Sequence, residues 1–515
     1  MLNYWWVTRP KRRLNSIPEV LATFAEISLD QEWQGQRNTH LSLEEALEQA
    51  SLKRKGERRD QTGGGGRTYR AWVSSLGLIF VQESTKMLKL TLAGEAIMAG
   101  DSPVEVLKHQ ILKYQFPSAF SISRGVNVAS RFKIRPFRFI LKLLNDSNIK
   151  YLTEEEIAKI VIIESENETD DCYKHIVNKI LAFRNFADNC LDKDFFTKYA
   201  SSKGTVNLDH PFSHLLDIAN TLINWLEYTQ LVKRDDNKQV RILDEKTSEV
   251  EEILYSSPSF IDRPGQQEVF QRKYGLDPKH KKDTRNLTET KTITANIIAE
   301  QKIKQAFITE SLKTPIGKIT TALIDRIAEK TGFENKVVEV ALLKLYPHGA
   351  IGSFMSEYFE MAFRGRDNAI EFELATVQLF KNAFGFEAKH VGPIGLSPDV
   401  FILSDESKYI GIIDNKAYSK YTISNDHRNR MIHNYIKTYS KEKYPLAFFS
   451  YISGGFGKNI DAQIKDIVTE TSVHGSAISV SNVIKLVDNY GKKGYDHSKI
   501  KDVFSLDRQI LLADL

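Results

Sequence analysis

The sequence predicts a multidomain chain in which a mainly α-helical N-terminal half precedes a smaller α/β domain. Three observations carry this. A helix, a short hairpin and a further helix are written before position 100, and a helix and hairpin recur before Val250. A stretch with Pro258, Pro264 and Pro278 then leads into long helical periodicity. Near position 400 the period switches from helical to alternating or wholly apolar strands, which marks a change of architecture.

The first module reads as follows. Trp5 and Trp6 precede Arg9-Pro10-Lys11-Arg12-Arg13, and an amphipathic stretch runs from Ile17 to Ile27. Residues 53–70, KRKGERRDQTGGGGRTYR, set Gly63 to Gly66 among Arg58, Arg59, Arg67 and Arg70. No Lys-Ser or Lys-Thr follows the glycines, so a phosphate loop is excluded. The spacing predicts a flexible glycine loop that becomes ordered along a polyanion. Thr68 to Leu76 is a helix closed by Gly77. Leu78 to Val81 and Leu88 to Leu92 flank the turn Glu83-Ser84-Thr85-Lys86, and Ala93-Gly94-Glu95-Ala96 opens the next helix. That is the order of a winged helix. It recurs in the helix Asn220 to Leu231 and the strands Val232-Lys233-Arg234 and Val240 to Leu243. Trp72 and Leu90 match Trp225 and Leu243 at one common offset, a weak internal repeat. Between the copies, Phe137 to Leu144, Thr153 to Ile163 and Cys172 to Phe186 read as three helices, with Thr153-Glu154-Glu155-Glu156 a capped start. Plain packing helices would give a similar pattern.

Charge is uneven. Residues 51–150 carry 18 Lys and Arg against 7 Asp and Glu, whereas the whole chain is +5, so the rest is net acidic. A concentrated basic stretch suits phosphate binding, although a solvated surface would read the same way. Candidate nucleic-acid contacts are Arg12, Arg13, Arg58, Arg59, Arg67, Arg70, Arg124, Asn127, Arg131, Lys133 and Arg135. The last five sit in Ser121 to Arg138, a basic, Pro-punctuated stretch that reads as a loop. Two cysteines, Cys172 and Cys190, exclude a disulfide framework and point to reduced thiols in a cytoplasmic protein. The N-terminus does not read as a signal peptide, and no apolar run is long enough to span a membrane.

The chemistry concentrates between Glu371 and Ser419. Phe372, Ala375, Val377, Leu379, Phe380 and Ala383 form one helical stripe, stopped by Gly385. Val400 to Leu403 and Tyr409 to Ile413 make a hairpin around Ser404-Asp405-Glu406-Ser407. Asp399 opens its first strand; Asp414 and Lys416 end its second, two apart and hence on one face. Two carboxylates can hold a hard divalent cation, and a lysine beside them can offset anionic charge. That set suits metal-assisted phosphodiester hydrolysis, with Glu373 a third carboxylate. The plain structural alternative is a turn cap at Asp399 and a strand-end ion pair between Asp414 and Lys416. Further on, Asn425 to His433 is rich in His and Asn but lacks a zinc spacing, and reads as the start of a helix to Tyr439.

The ordered motifs extend beyond these residues. The helix ending Phe384-Gly385-Phe386, then Lys389-His390-Val391-Gly392, Pro398-Asp399, Asp414-Asn415-Lys416-Ala417-Tyr418-Ser419 and FFSYISGGFGKNIDAQ at 448–463 resemble the cleavage domain of the FokI-type, PD-(D/E)xK nucleases, over roughly 355–487. Less specifically, Thr91-Leu92-Ala93-Gly94-Glu95 and Lys113 to Ser118 resemble the recognition half of the AlwI and BstNBI group. The resemblance implies a mixed central sheet and a Type IIS restriction endonuclease. It implies Asp399 and Asp414 as metal ligands, Lys416 as the catalytic lysine and Glu373 as a supporting carboxylate. Mg²⁺ would be the cofactor, with Mn²⁺ as a substitute, and cleavage would leave 5′-phosphate and 3′-hydroxyl ends. Duplex DNA, a transient homodimer and a cognate DNA methyltransferase are the implied partners, in a prokaryotic cytoplasm. The expected division is a winged-helix-like DNA-recognition module at 1–125, a helical, helix-turn-helix-like module at 126–200, a second winged-helix-like module at 201–255, a helical connector at 256–345 and the nuclease domain at 346–515. The alternatives are a strand-specific nickase of the same family, a winged-helix regulator with an inactive nuclease-like domain, and a nuclease of repair or transposition.

Overall fold

The computed structural model describes residues 1–55, 61–119, 127–200, 212–235, 237–256, 258–261, 265–288, 295–365, 369–393 and 397–515. The chain divides into two compact units, Met1–Ile308 and Thr309–Leu515.

In the first unit, helices Ile17–Ser28, Arg37–Gln49 and Gly64–Ser75 precede the antiparallel hairpin β1 (Ile79–Val81) and β2 (Leu88–Leu90). Glu32 makes a single antiparallel bridge to Met87, so the segment between the first two helices lies against the two-stranded hairpin. Thr91 caps the next helix, Leu92–Met98, by accepting from the Gly94 amide. The arrangement is repeated. Helix Pro136–Leu144 leads to Leu152, which bridges Val240 of the hairpin β3 (Val232–Arg234) and β4 (Val240–Ile242). Helix Ser213–Tyr228 feeds that hairpin as Gly64–Ser75 feeds the first. Trp72 and Trp225 are each fully buried and stand equally far ahead of their hairpins, at Ile79 and Val232. The match of Trp72 with Trp225 is thus kept in the structure, but that of Leu90 with Leu243 is corrected: Leu90 pairs with Ile79 as Ile242 pairs with Val232, because the second hairpin is one residue shorter, and Leu243 falls beyond its strand.

The glycine run is a correction. Gly64 to Gly66 form the first turn of a helix, with Gly63 left-handed at φ +82° before it. A Cβ on Gly66 would lie 2.4 Å from the His40 carbonyl oxygen, and one on Gly63 2.5 Å from His40 Cβ. The glycines serve close approach of two helices rather than looseness. Residues 56–60, with Arg58 and Arg59, lie outside the described residues. The long helical periodicity beyond the prolines includes two helices, Thr321–Thr331 and Asn335–Leu345, parted where Gly332 turns left-handed at φ +75°.

The segment Gln267–Asp283 packs on the first hairpin. Gln271 Nε2 donates to the carbonyls of Ser74 and Ile79, and Asp283 binds both Arg272 and Arg285.

The second unit is built on a mixed six-stranded sheet of β5 (Glu387–His390), β6 (Val400–Ser404), β7 (Tyr409–Lys416), β8 (Leu446–Ser453), β9 (His474–Ser479) and β10 (Arg508–Ile510). Their order across the sheet is β10-β9-β8-β7-β6-β5. β5, β6 and β7 run antiparallel; β7 to β10 run parallel. Both faces are covered, which is why β7 is almost wholly buried and reads as a continuous apolar run. On one face, Ile410, Ile412, Phe449, Tyr451 and Ala477 pack against Met431, Tyr435, Ile464 and Ile467 of the following helices. On the other, Tyr409 and Phe448 meet Phe386 and Phe504. No helix among the described residues is long and apolar enough to cross a membrane.

Candidate active site

The site lies where β6 begins and β7 ends. Antiparallel register sets Val400 opposite Ile413, so Asp399 falls beside the end of β7. There Asp399 Oδ2 accepts from the Asn415 amide at 2.6 Å. Asp414 follows Ile410 and Ile412 on one face and is 3% exposed; its Oδ2 meets Lys416 Nζ at 2.6 Å. Asn415, between them, points to the opposite face. Its Nδ2 donates to Thr376 Oγ1 at 2.7 Å, and Thr376 is held by Tyr358 and by the Phe372 carbonyl. This chain of contacts fastens the end of β7 to helix Ala369–Asn382, which carries Glu373.

The electrostatics are those of a carboxyl cluster short of positive charge. Burial, Asp414 and Glu373 together push the Asp399 carboxyl well above the usual range, against the opposing effects of Lys416 and the Asn415 amide. Burial alone would lower Lys416, but Asp414 and Asp399 outweigh it and hold the ammonium above its ordinary value. Tyr421 and His427 border the same face, joined at 2.8 Å between the hydroxyl and Nδ1.

Glu373 Oε2 lies 2.7 Å from His390 Nε2, both side chains about one-seventh exposed. Gly392 sits beside this pair. A Cβ built on it would lie 3.4 Å from His390 Nε2 and 3.5 Å from both Asp399 Oδ1 and Glu373 Oε2. The missing side chain thus leaves a polar cradle lined by two carboxylates. The structure brings together all four residues expected from the sequence, Asp399, Asp414, Lys416 and Glu373. No three His, Cys, Asp or Glu among the described residues form a ready-made metal cluster. His390, Asn415 and Thr376 were given no role by the sequence, because their partners are remote in the chain. The only signal was the adjacency of His390 and Gly392 to Asp399.

The basic candidates scatter. Arg131 binds Glu166, Asn3 and the Ile163 carbonyl, and Arg135 binds Glu168 and the Pro258 carbonyl. Their heads are engaged inside the first unit. Arg12 pairs with Asp217 at 2.6 Å, both half-exposed. Arg67 donates to Thr62, and Arg70 lies over Trp33. Lys133 lies over Phe260; Arg13 and Asn127 are exposed. Arg124, like Arg58 and Arg59, lies outside the described residues.

Comparison with known proteins gives the class. Residues 332–511, the stretch that holds the whole Asp, Asp, Lys and Glu set, match the family described as FokI, cleavage domain. This stretch is thus similar to the cleavage domain of a restriction endonuclease. The chain belongs to the AlwI restriction endonuclease family, which matches residues 74–340, just over half of its 515 residues. The Type II restriction enzyme StsI of Streptococcus sanguinis is 25% identical over 146 residues, spanning 25% of this chain and 24% of that relative. Among solved structures, restriction endonuclease FokI is 15% identical, with a TM-score of 0.29 covering 99% of this chain and 100% of that one. The BpuJ1 endonuclease binding domain, solved with modified DNA, is 14% identical, with a TM-score of 0.35 covering 53% of this chain and 96% of that one.

Proposed function

We propose that this chain is a Type IIS-like restriction endonuclease. Its helical half binds a specific sequence in duplex DNA, and its α/β domain hydrolyses a phosphodiester at a fixed distance outside that sequence. The observation that carries the reading is the meeting of Asp399, Asp414 and Lys416 at one strand end, with Glu373 beside them.

The donor set fits Mg²⁺, or Mn²⁺ in its place. The candidate ligands are hard carboxylate oxygens, three carboxyl groups face the single ammonium of Lys416, and the Gly392 cradle leaves room between Asp399 and Glu373. Asp399 and Asp414 would hold the ion, which supplies Lewis-acid polarisation of the scissile phosphate. Lys416 sets an ammonium beside that phosphate and offsets the charge that builds up in transfer. The Asn415 amide holds Asp399 in register. Glu373 completes the anionic wall and orients water.

In the N-terminal half, the two helix-bridge-helix units, each ending in a hairpin, support the winged-helix reading. The proposed division is a winged-helix-like DNA-recognition module at 1–125, a helical, helix-turn-helix-like module at 126–200, a second winged-helix-like module at 201–255, a helical connector at 256–345 and the nuclease domain at 346–515. One such site cuts one strand, so double-strand cleavage takes two cleavage domains paired transiently on DNA. A cognate DNA methyltransferase would protect the host sequence.

The test is supercoiled plasmid of varied sequence, with Mg²⁺ and with EDTA. Discrete linear fragments that EDTA abolishes support the reading, and sequencing their ends gives the site and offset. Open circles alone indicate a nickase. Tight binding without cutting would leave a DNA-binding regulator and overturn the catalytic claim.

A further inference from the structure

We infer that His390 is a positioning residue: it fixes the Glu373 carboxylate against Asp399 and so sets the affinity of the site for its cation. This rests on the function proposed above and goes beyond it, since neither the sequence motifs nor the strand-end cluster assigns His390 a role.

His390 closes β5 opposite Val400, and the Val391 amide donates to the Asp399 carbonyl at 3.0 Å. The edge of the sheet therefore carries His390 to the first aspartate, whatever helix Ala369–Asn382 does. Glu373 stands on that helix. Its Oε2 meets His390 Nε2 at 2.7 Å, with both side chains mostly buried. An ionised carboxylate only accepts, so Nε2 carries the proton and donates. The bond fixes one oxygen of a side chain that otherwise has three rotatable bonds.

Gly392 shows what the fixing achieves. The point where its Cβ would stand is equally near His390 Nε2, Glu373 Oε2 and Asp399 Oδ1. Glu373 thus faces the same small space as Asp399, and His390 holds it there. Hydrogen bonds that orient metal-ligating groups commonly change metal affinity or activity about 10–100-fold when removed, and Glu373 shares the Gly392 space with Asp399, one of the two proposed ligands.

The experiment uses the full chain with His390→Ala, His390→Gln, Glu373→Ala and the double variant Glu373→Ala/His390→Ala. Mn²⁺ binding is read by calorimetry, cleavage rate as a function of Mg²⁺ on plasmid, and folding by thermal midpoint. The expected result is Mn²⁺ affinity about 10–100-fold weaker in His390→Ala, with the thermal midpoint near that of the parent. Gln, which keeps a donor near the Nε2 position, restores most of the affinity. The double variant is no worse than Glu373→Ala. Unchanged Mn²⁺ affinity in His390→Ala overturns the inference. So does an equal loss in Ala and Gln accompanied by a lower thermal midpoint, which is a structural role. A parent chain that binds Mn²⁺ but never cuts fails the proposed function alone, and the calorimetric comparison still decides the role of His390.

Discussion

Lys416 Nζ lies 2.6 Å from Asp414 Oδ2, on side chains 15% and 5% exposed. Removing either partner therefore does two things. It removes a group proposed to act in the reaction, and it changes a buried charge balance: without Lys416 the carboxyl groups lose their ammonium, whereas without Asp414 the ammonium still faces Asp399. Asp414→Asn should lose cleavage by at least about a hundredfold while DNA binding in a gel shift persists. Its thermal midpoint should stay near the parent's, whereas that of Lys416→Ala should fall. Chelation by EDTA should remove the activity of the parent. Cleavage by Asp414→Asn at a rate near the parent's would refute the role of that carboxylate.

Gly392→Ala should fold. Its Cβ would make ordinary contacts at 3.4–3.5 Å, and the backbone is not left-handed. The methyl group nevertheless fills the space between Asp399 and Glu373. Cleavage and Mn²⁺ affinity should both drop while the melting curve stays in place. Parent-like Mn²⁺ binding would show that the cradle is not used.

Two other glycines should respond with opposite signs. Gly66→Ala drives a Cβ to 2.4 Å from a backbone oxygen, and overpacking of this kind costs about 1–3 kcal/mol. Gly491→Ala, inside helix Val480–Lys493 with nothing within 4 Å, should gain about 0.5–1 kcal/mol. Denaturant midpoints of the two variants check both signs.

Acid should loosen the first unit. Burial would raise Glu249, but Lys108 and Lys246 outweigh it and hold it at about 2, below its ordinary 4.5. Burial likewise opposes Arg285 and Arg272 at Asp283, which is held at about 2 against 3.8. Both folded values lie below the unfolded ones. The stability they add is thus present above pH 4.5 and lost as pH falls towards 2, on the order of 2–3 kcal/mol each. Thermal midpoints should fall steeply over that window. Glu249→Gln/Asp283→Asn should begin lower at neutral pH and fall less.

The basic residues divide by what already holds them. Arg135→Ala unpairs Glu168 and should cost roughly 1–3 kcal/mol of stability, leaving the salt dependence of DNA binding unchanged. Arg13 is exposed. If it meets a phosphate, Arg13→Ala should lower the slope of log affinity against log salt by about 1 with stability unaltered. Binding measured from low to moderate salt, beside a melting curve, separates the two behaviours.

Much was legible in the chain itself. The hairpins at 79–90 and 232–242, the site helix and the buried strand β7 were readable, because periodicity and turn residues act over a few positions. The pairing of Asp414 with Lys416 followed from the two-residue period of a strand. Other features needed contacts between remote segments. Gly63 to Gly66 read as a loose loop because nothing in the local sequence reveals His40 packed against them. Arg131 and Arg135 read as free basic groups because Glu166 and Glu168 reach them only after intervening helices fold back. His390 acquires a partner only when the edge strand and helix Ala369–Asn382 are brought together. The sequence by itself determined which residues are candidates for the chemistry and which elements hold them, since those are local properties of side chains and backbone. Tertiary structure alone decided which charges are already neutralised, which glycines are contacts and which carboxylates share one space, since burial and electrostatics depend on neighbours that chain order does not name.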